Sequence, residues 1–365
     1  MSPSAPCRTY STSKRSPNPR KFSYHIAASF IAKDRPFDPN NHVFHFNPYA
    51  QIQQPKSTPR SSRPESGHDA FFVSRVSDTG SVAFGVADGV GGWTESGVDP
   101  ADFSHGLCAY MASAAREARE EEGGRRVTSR QLMQRGYDAV SDDPSVQAGG
   151  STACVAIGRP DGTLDVANLG DSGFLQLRLN AVHSFSEPQT HAFNTPYQLS
   201  VVPPSMAAKM AAYGGAQLSD LPRDADVSEH DVRHGDVLVF ATDGVLDNLF
   251  NQDILRTASR VMVTSGAWET SPTGGVRAAD DLSRFTELQP SPFSPGKQVT
   301  LQSLLATQLV GAAKKASVNT RVDGPFAKEV QRYFPQEDWR GGKVDDICVV
   351  VAVVSEEGDA VKAKL

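Results

Sequence analysis

Val82-Ala-Phe-Gly-Val-Ala87 runs directly into Asp88-Gly89-Val90-Gly91-Gly92-Trp93. The first six residues are apolar and suit a strand buried on both faces; the next six are a glycine-rich turn. A strand ladder holds an aspartate at its end rigidly, while the carboxylate projects past the sheet. The same context recurs along the chain. Asp236–Thr242 (DVLVFAT) runs into Asp243-Gly244, and Asp345-Asp346 directly precedes the apolar run Ile347–Val354. Asn168-Leu169-Gly170-Asp171-Ser172-Gly173 joins two further strand-like segments. At any one of these places Asp-Gly can be read as the commonest turn dipeptide. Four in one context point instead to a carboxylate cage, whose like charges cannot all stay ionised without cations. Oxygen ligands without a His/Cys cluster favour Mg²⁺ or Mn²⁺ over zinc, and Gly89 leaves room for its carbonyl to approach a metal.

Around this core the pattern is of short strands with glycine and aspartate turns. Phe71–Ser77, Val82–Ala87, Ser151–Ile157, Leu164–Leu169 and Phe174–Leu179 read as strands, and Asp161-Gly162 as a hairpin turn. Asp99-Pro100 starts one helix and Thr128 caps a second. Further helices are predicted at Pro204–Ala212, Gln252–Val263 and Leu301–Ala316, with a surface insertion over Ser265–Gly296, rich in Ser, Pro and Gly. Grouped strands with intervening helix pairs give an α+β fold whose sheets are covered by helices. The folded domain is predicted over residues 65–355, followed by a tail at 356–365.

The formal charge of −6 is the sum of two unlike regions. Residues 1–63 carry a net +8 and residues 64–365 a net −14. The first acidic residue is Asp34, after Arg8, Lys14, Arg15, Arg20, Lys21 and Lys33. An Arg- and Ser-rich, acid-poor start has the composition of an organelle transit peptide, with a bland basic tail as the alternative. Under the targeting reading, residues 1–35 are the leader, Phe22–Ile31 forms a short amphipathic helix, and Arg8-Thr9-Tyr10-Ser11 resembles a mitochondrial cleavage site. The expected location is the mitochondrion, in the matrix. Pro36–Pro64, with six prolines, reads as a linker or arm.

Several classes are set aside. The longest purely apolar run, Ile347–Val354, is eight residues against the ~20 that span a bilayer, so no integral membrane segment is expected. Cys7, Cys108, Cys154 and Cys348 lack zinc-type spacing and read as free thiols. HExxH, GxSxG and GxxxxGK[ST] are all missing from the sequence. A body of net charge −14 argues against nucleic acid as a partner.

The ordered set His68-Asp69, Asp88-Gly89-Val90-Gly91-Gly92, Gly150-Ser151-Thr152-Ala153, Asn168-Leu169-Gly170-Asp171-Ser172, Asp243-Gly244 and Asp345-Asp346 resembles the metal-dependent protein phosphatases of type 2C. DGVGGW followed by Gly97-Val98-Asp99-Pro100 is similar to the mitochondrial branch of that family. The resemblance spans roughly residues 65–355. It implies two packed antiparallel sheets flanked by helices, an α-β-β-α sandwich with two Mn²⁺ or Mg²⁺ ions at one edge. Asp88 would bridge both ions, Gly89 would offer its carbonyl, and Asp243 and Asp345 would complete the other ion's ligands. Asp171 would help Asp243 hold a weaker third ion, and Asp69 would hydrogen-bond metal-bound water. The implied reaction is direct hydrolysis of phosphoserine or phosphothreonine by water activated between the metals. Phosphoprotein substrates and a monomeric state are expected.

Three departures qualify the resemblance. His68 stands where the family's first acidic pair begins with Asp or Glu. It can ligate Mn²⁺, hold a metal-bound water, or sit solvated in a loop. Val90 stands where many relatives carry the histidine proposed to protonate the leaving alkoxide, a role metal-bound water or His68 can take instead. Pro64 occupies the usual phosphate-binding arginine position, with Arg63 one residue upstream. The alternative consistent with His68 and Val90 is a catalytically weak, phosphoprotein-binding regulator on the same fold.

Overall fold

The computed structural model describes residues 21–47, 63–118, 126–204, 206–208, 219–271, 274–290 and 298–357. Its body is built from eleven strands: β1 (Phe22–Ile31), β2 (Val43–His45), β3 (Asp69–Val76), β4 (Ser81–Asp88), β5 (Ala153–Gly158), β6 (Thr163–Leu169), β7 (Gly173–Arg178), β8 (Ala181–Phe185), β9 (Asp226–Asp231), β10 (Val237–Ala241) and β11 (Ile347–Glu356). The first sheet runs β2-β1-β11-β10-β7-β8 and the second β9-β6-β5-β4-β3, with antiparallel pairing throughout.

The two sheets pack face to face, and each has helices on its outer face. Ile26, Ala28, Phe30, Phe240, Cys348 and Val350 of the first sheet meet Phe71, Phe84, Val86, Cys154 and Val166 of the second in one apolar layer. Phe84 and Phe240 touch edge to face across it, ring centroids 5.0 Å apart. The outer face of the first sheet (Leu175, Val237, Val239, Val349, Val351) buries against helices α3 (Asn251–Thr264) and α4 (Leu301–Ser317). The outer face of the second (Phe72, Ala83, Val155, Ile157) buries against α1 (Pro100–Glu117) and α2 (Ser129–Ser141). Three apolar interfaces make four layers, the α-β-β-α sandwich. Strand β11 shows why its sequence does not alternate with polar residues. Ile347, Val349, Val351 and Val353 face the helices while Cys348, Val350, Ala352 and Val354 face the other sheet.

The N-terminal segment differs from expectation. Phe22–Ile31 is a strand rather than an amphipathic helix, and pairs along its whole length with β11, from Phe22 opposite Glu356 to Ile31 opposite Ile347. Phe22, Ile26 and Phe30 recur every fourth residue, which suits either period; the pairing partner over three hundred residues away decides between them. The predicted leader boundary at residue 35 and domain start at 65 therefore fall within the folded body. Part of the predicted linker forms edge strand β2, and the backbone N–H of Lys33 donates to Asp346 Oδ1 at 2.8 Å. The suggested cleavage site at Arg8–Ser11 lies outside the described residues.

Two further expectations change. The segment 265–296 is more than a surface insertion. Trp268 and Leu282 are fully buried in the outer core of the first sheet, and the Trp268 indole donates to the Gly235 carbonyl at 2.9 Å. The predicted strand Ser151–Ile157 breaks at Thr152 because that residue's backbone N–H and hydroxyl turn to Asp88. Of the helix predicted at Pro204–Ala212, residues 205 and 209–212 lie outside the described residues. Among the described residues no helix is long and apolar enough to cross a membrane.

Candidate active site

At one edge of the sandwich the strand ends bring the predicted aspartates together. Asp88 ends β4, directly opposite Asp69 at the start of β3. Asp243 opens a one-turn helix after β10, Asp345 precedes β11, and Asp171 lies where the chain crosses from β6 in the second sheet to β7 in the first. Each backbone is placed by a ladder or a turn. The backbone around Asp88 is tied on both sides. Its N–H donates to Thr152 Oγ1 at 3.1 Å, and its carbonyl accepts from Thr152 N at 2.9 Å and Ser151 Oγ at 2.8 Å. Gly89 has no space for a side chain, since a Cβ would lie 2.9 Å from both the His68 and the Pro100 carbonyl oxygens.

Packing acids this tightly moves their titration. Burial, then repulsion from Asp243, Asp69, Asp171 and Asp345, holds Asp88 well above the ordinary carboxylate range. Burial followed by Asp346 does the same to Asp69, although Thr242 Oγ1 donates to its Oδ2 at 2.7 Å. Asp171 is raised by burial, then by Asp243 and Asp247. Burial also raises Asp345, aided by Asp243. The exception is Asp243: burial opposes its charge, but the Lys343 ammonium 2.6 Å away takes it below the usual range.

Among the described residues, Lys343 is the cation in contact with these acids. Its Nζ lies 2.6 Å from Asp243, 2.7 Å from Asp247 and 3.1 Å from Asp345. Asp247 touches the same ammonium, yet burial and Asp243 push it up to about 7. The opposite shifts of Asp243 and Asp247 have one cause. A single positive charge cannot neutralise several buried carboxylates, so the group as a whole retains protons or needs more cations.

The donor set fits a hard divalent ion. It consists of carboxylate oxygens with a glycine at the centre, and among the described residues the buried Asp69 Oδ1 and Asp171 Oδ1 have no hydrogen-bond partner. Among the described residues, no three Asp, Glu, His or Cys side chains are already closed into a metal-holding group; Asp243, Asp247 and Asp345 converge on Lys343 instead.

The residues at which the sequence departs from the family pattern have distinct surroundings. His68 holds its loop through the backbone: its N–H donates to Asp346 Oδ2 at 2.8 Å and its carbonyl accepts from Gly89 N and Ser104 Oγ. The contact its ring makes is with Asp346, Nδ1 to Oδ2 being 3.8 Å. Arg63 pairs with Asp102 at 2.5 Å and Asp99 at 3.7 Å, which ties it to the start of α1. Trp93 Nε1 donates to Gln198 Oε1 at 3.0 Å beside Gly150, which braces the turn after Asp88. Sequence reading missed Asp247, Lys343 and Thr242. The four-residue spacing from Asp243 to Asp247 is a helical-face signal that could have found the first.

The family model described as "Protein phosphatase 2C" matches residues 60–283. The chain belongs to the protein phosphatase 2C family. Similar proteins within it include Saccharomyces cerevisiae "Protein phosphatase 2C homolog 7, mitochondrial", 30% identical over 91% of this chain and 83% of the relative. Human "Protein phosphatase PTC7 homolog" is 33% identical over 80% of this chain and 81% of its own length. Among solved structures, the photosystem II phosphatase PBCP is 25% identical, with a TM-score of 0.58 over 91% of this chain and 98% of that one. This member of the protein phosphatase 2C family is accordingly a protein phosphatase, with the sandwich architecture of the family.

Proposed function

We propose that this phosphatase hydrolyses phosphoserine and phosphothreonine in mitochondrial proteins, using Mn²⁺ or Mg²⁺ held at the aspartate edge. The observation that carries this reading is the set of buried carboxylates at strand ends with unpartnered oxygens on Asp69 and Asp171. Asp88, the Gly89 carbonyl, Asp243 and Asp345 would hold two ions, and Asp171 would be available to a further one. When bound, such ions would lower the pKa of water and neutralise phosphate charge. The chain's own residues do the positioning. Thr242 and the β3–β4 ladder orient Asp69 to accept a proton or hydrogen bond from the attacking water, and Thr152 fixes Asp88 from the backbone. His68, a quarter exposed, is the candidate proton donor to the leaving alkoxide.

A mitochondrial location is supported by the basic start of the chain and by the printed name of the yeast relative. Because β1 begins at Phe22, any leader removed on import has to end before it. The reading is tested by Mn²⁺-dependent hydrolysis of a phosphothreonine peptide, with Asp88→Ala and Asp243→Ala as controls. Turnover that needs the metal and falls at least about a hundredfold in both variants is expected. Turnover that ignores metal, or survives in the variants, refutes it.

A further inference from the structure

Lys343 is built into the aspartate edge more firmly than a surface lysine. Its backbone is clamped on both sides by the buried Asn248, whose Oδ1 accepts from Lys343 N at 2.9 Å and whose Nδ2 donates to Lys343 O at 2.8 Å. The same Nδ2 reaches the Gly244 carbonyl at 2.9 Å, linking this clamp to the turn that carries Asp243. Just upstream, Gly342 is packed so closely that a Cβ would lie 2.2 Å from the Ala316 carbonyl and 2.8 Å from Asn248 Oδ1. The side chain is 15% exposed, and its ammonium stands 5.0 Å from the Phe326 ring centroid, so ring and carboxylates both favour a cation there. Its three protons match three acceptors, on Asp243, Asp247 and Asp345.

We propose that Lys343 is a tethered cation that fills the position among Asp243, Asp247 and Asp345 that an additional divalent ion would otherwise take, and so limits how many ions this centre holds. Lys343 Nζ contacts the Oδ2 atoms of Asp243 and Asp345, which leaves the Oδ1 atom of each for the two ions proposed above, while a further divalent ion at the ammonium's own position would be excluded by charge repulsion. Asp171, next to Asp243, Asp247 and Lys343, is the carboxylate left short of a partner by this arrangement. The inference rests on the metal-dependent reading above and concerns the number of ions rather than the reaction.

The test is a calorimetric Mn²⁺ titration of the full-length protein, stripped of metal, as wild type, Lys343→Met and Lys343→Arg, with thermal melting in parallel. Lys343→Met is expected to bind one more Mn²⁺ per chain, or to tighten the weakest site at least about tenfold. Its metal-free form is expected to melt lower than wild type and to recover when Mn²⁺ is added, while Lys343→Arg keeps the wild-type stoichiometry. Unchanged stoichiometry and affinity in Lys343→Met overturn the tethered-cation role while leaving the metal-dependent reading intact. Failure of the wild type and Lys343→Met alike to bind Mn²⁺ overturns both. If the Met variant does not fold without metal, Lys343→Gln, which keeps amide donors but no charge, takes its place with the same expected gain.

Discussion

Asp69 and Asp88 face each other across the β3–β4 ladder, each at the end of its strand. Nothing but antiparallel register puts these two acids together, nineteen residues apart in sequence. Both are forced well above the ordinary carboxylate range, first by burial and then by neighbouring acids. Their upkeep therefore falls to the groups around them, and those groups can be altered one at a time.

Thr242 is the first such group. Its hydroxyl donates to Asp69 Oδ2 at 2.7 Å and accepts from Cys348 N at 3.0 Å. Thr242→Val keeps the shape but leaves both partners unmatched in a buried site. A loss of about 1–3 kcal/mol is expected in urea unfolding, together with slower phosphopeptide turnover. An unchanged midpoint and rate would show that the bond positions nothing.

Asp247 sets a pH dependence whose sign can be worked out. Its folded value is raised to about 7 from 3.8 in the unfolded chain, so between these values the folded protein holds the extra proton. The stability tied to that proton is complete at low pH and is lost as pH rises through this window. Asp247→Asn, neutral throughout, escapes the loss. In metal-free protein its stability relative to wild type should climb between pH 4 and 7 by about 1–2 kcal/mol, less than the whole shift implies because a quarter of the Asp247 side chain is exposed. A pH-independent difference between the two proteins would contradict the assignment.

Truncation separates leader from fold. Removing residues 1–20 leaves β1 whole, and the purified protein should melt as the full chain does. Removing residues 1–35 deletes a ten-residue strand paired on both sides, by β11 and β2, takes Ile26 and Phe30 out of the inner core, and uncovers Phe71, on which Phe30 stacks. That protein should be insoluble or unfolded by circular dichroism. A stable, cooperative fold from residue 36 onward would mean that β1 is dispensable.

The thiols give a further check on packing. Cys108, Cys154 and Cys348 are free and buried, and burial pushes all three well above the ordinary thiol range. In a Cys7→Ser variant, none should react with a thiol reagent under native conditions, and all three should react in denaturant. Rapid native labelling would indicate that the core opens far more readily than its packing implies.

The aspartate positions were legible because strand ends carry local signals: an apolar run and then Asp-Gly at Asp88 and Asp243, Asp345-Asp346 directly before an apolar run, and Asp171 in a turn between two strands. For the same reason strands β3 to β7, β10 and β11 and the α1, α2, α3 and α4 helices could be placed from periodicity and caps within a few residues, whereas β2, β8 and β9 were not predicted. Phe22–Ile31 was misread because its apolar spacing fits both helix and strand, and the basic residues before it suggested a leader. Lys343 and Asn248 carried no local signal whatever. A lysine two residues before Asp345 looks like any surface lysine until the chain is folded.

By itself, then, the sequence determined the four-layer class of fold, through its family motifs and doubly buried strands, and the identity of the acids gathered at one edge. The tertiary structure alone decided which segment completes the first sheet and which cation those acids hold. Both depend on contacts between residues far apart along the chain: β1 gains its partner only when β11 arrives beside it, and Lys343 reaches Asp243 and Asp247 across roughly a hundred residues. Such pairings are settled by burial and charge in the assembled core, and no local pattern encodes them.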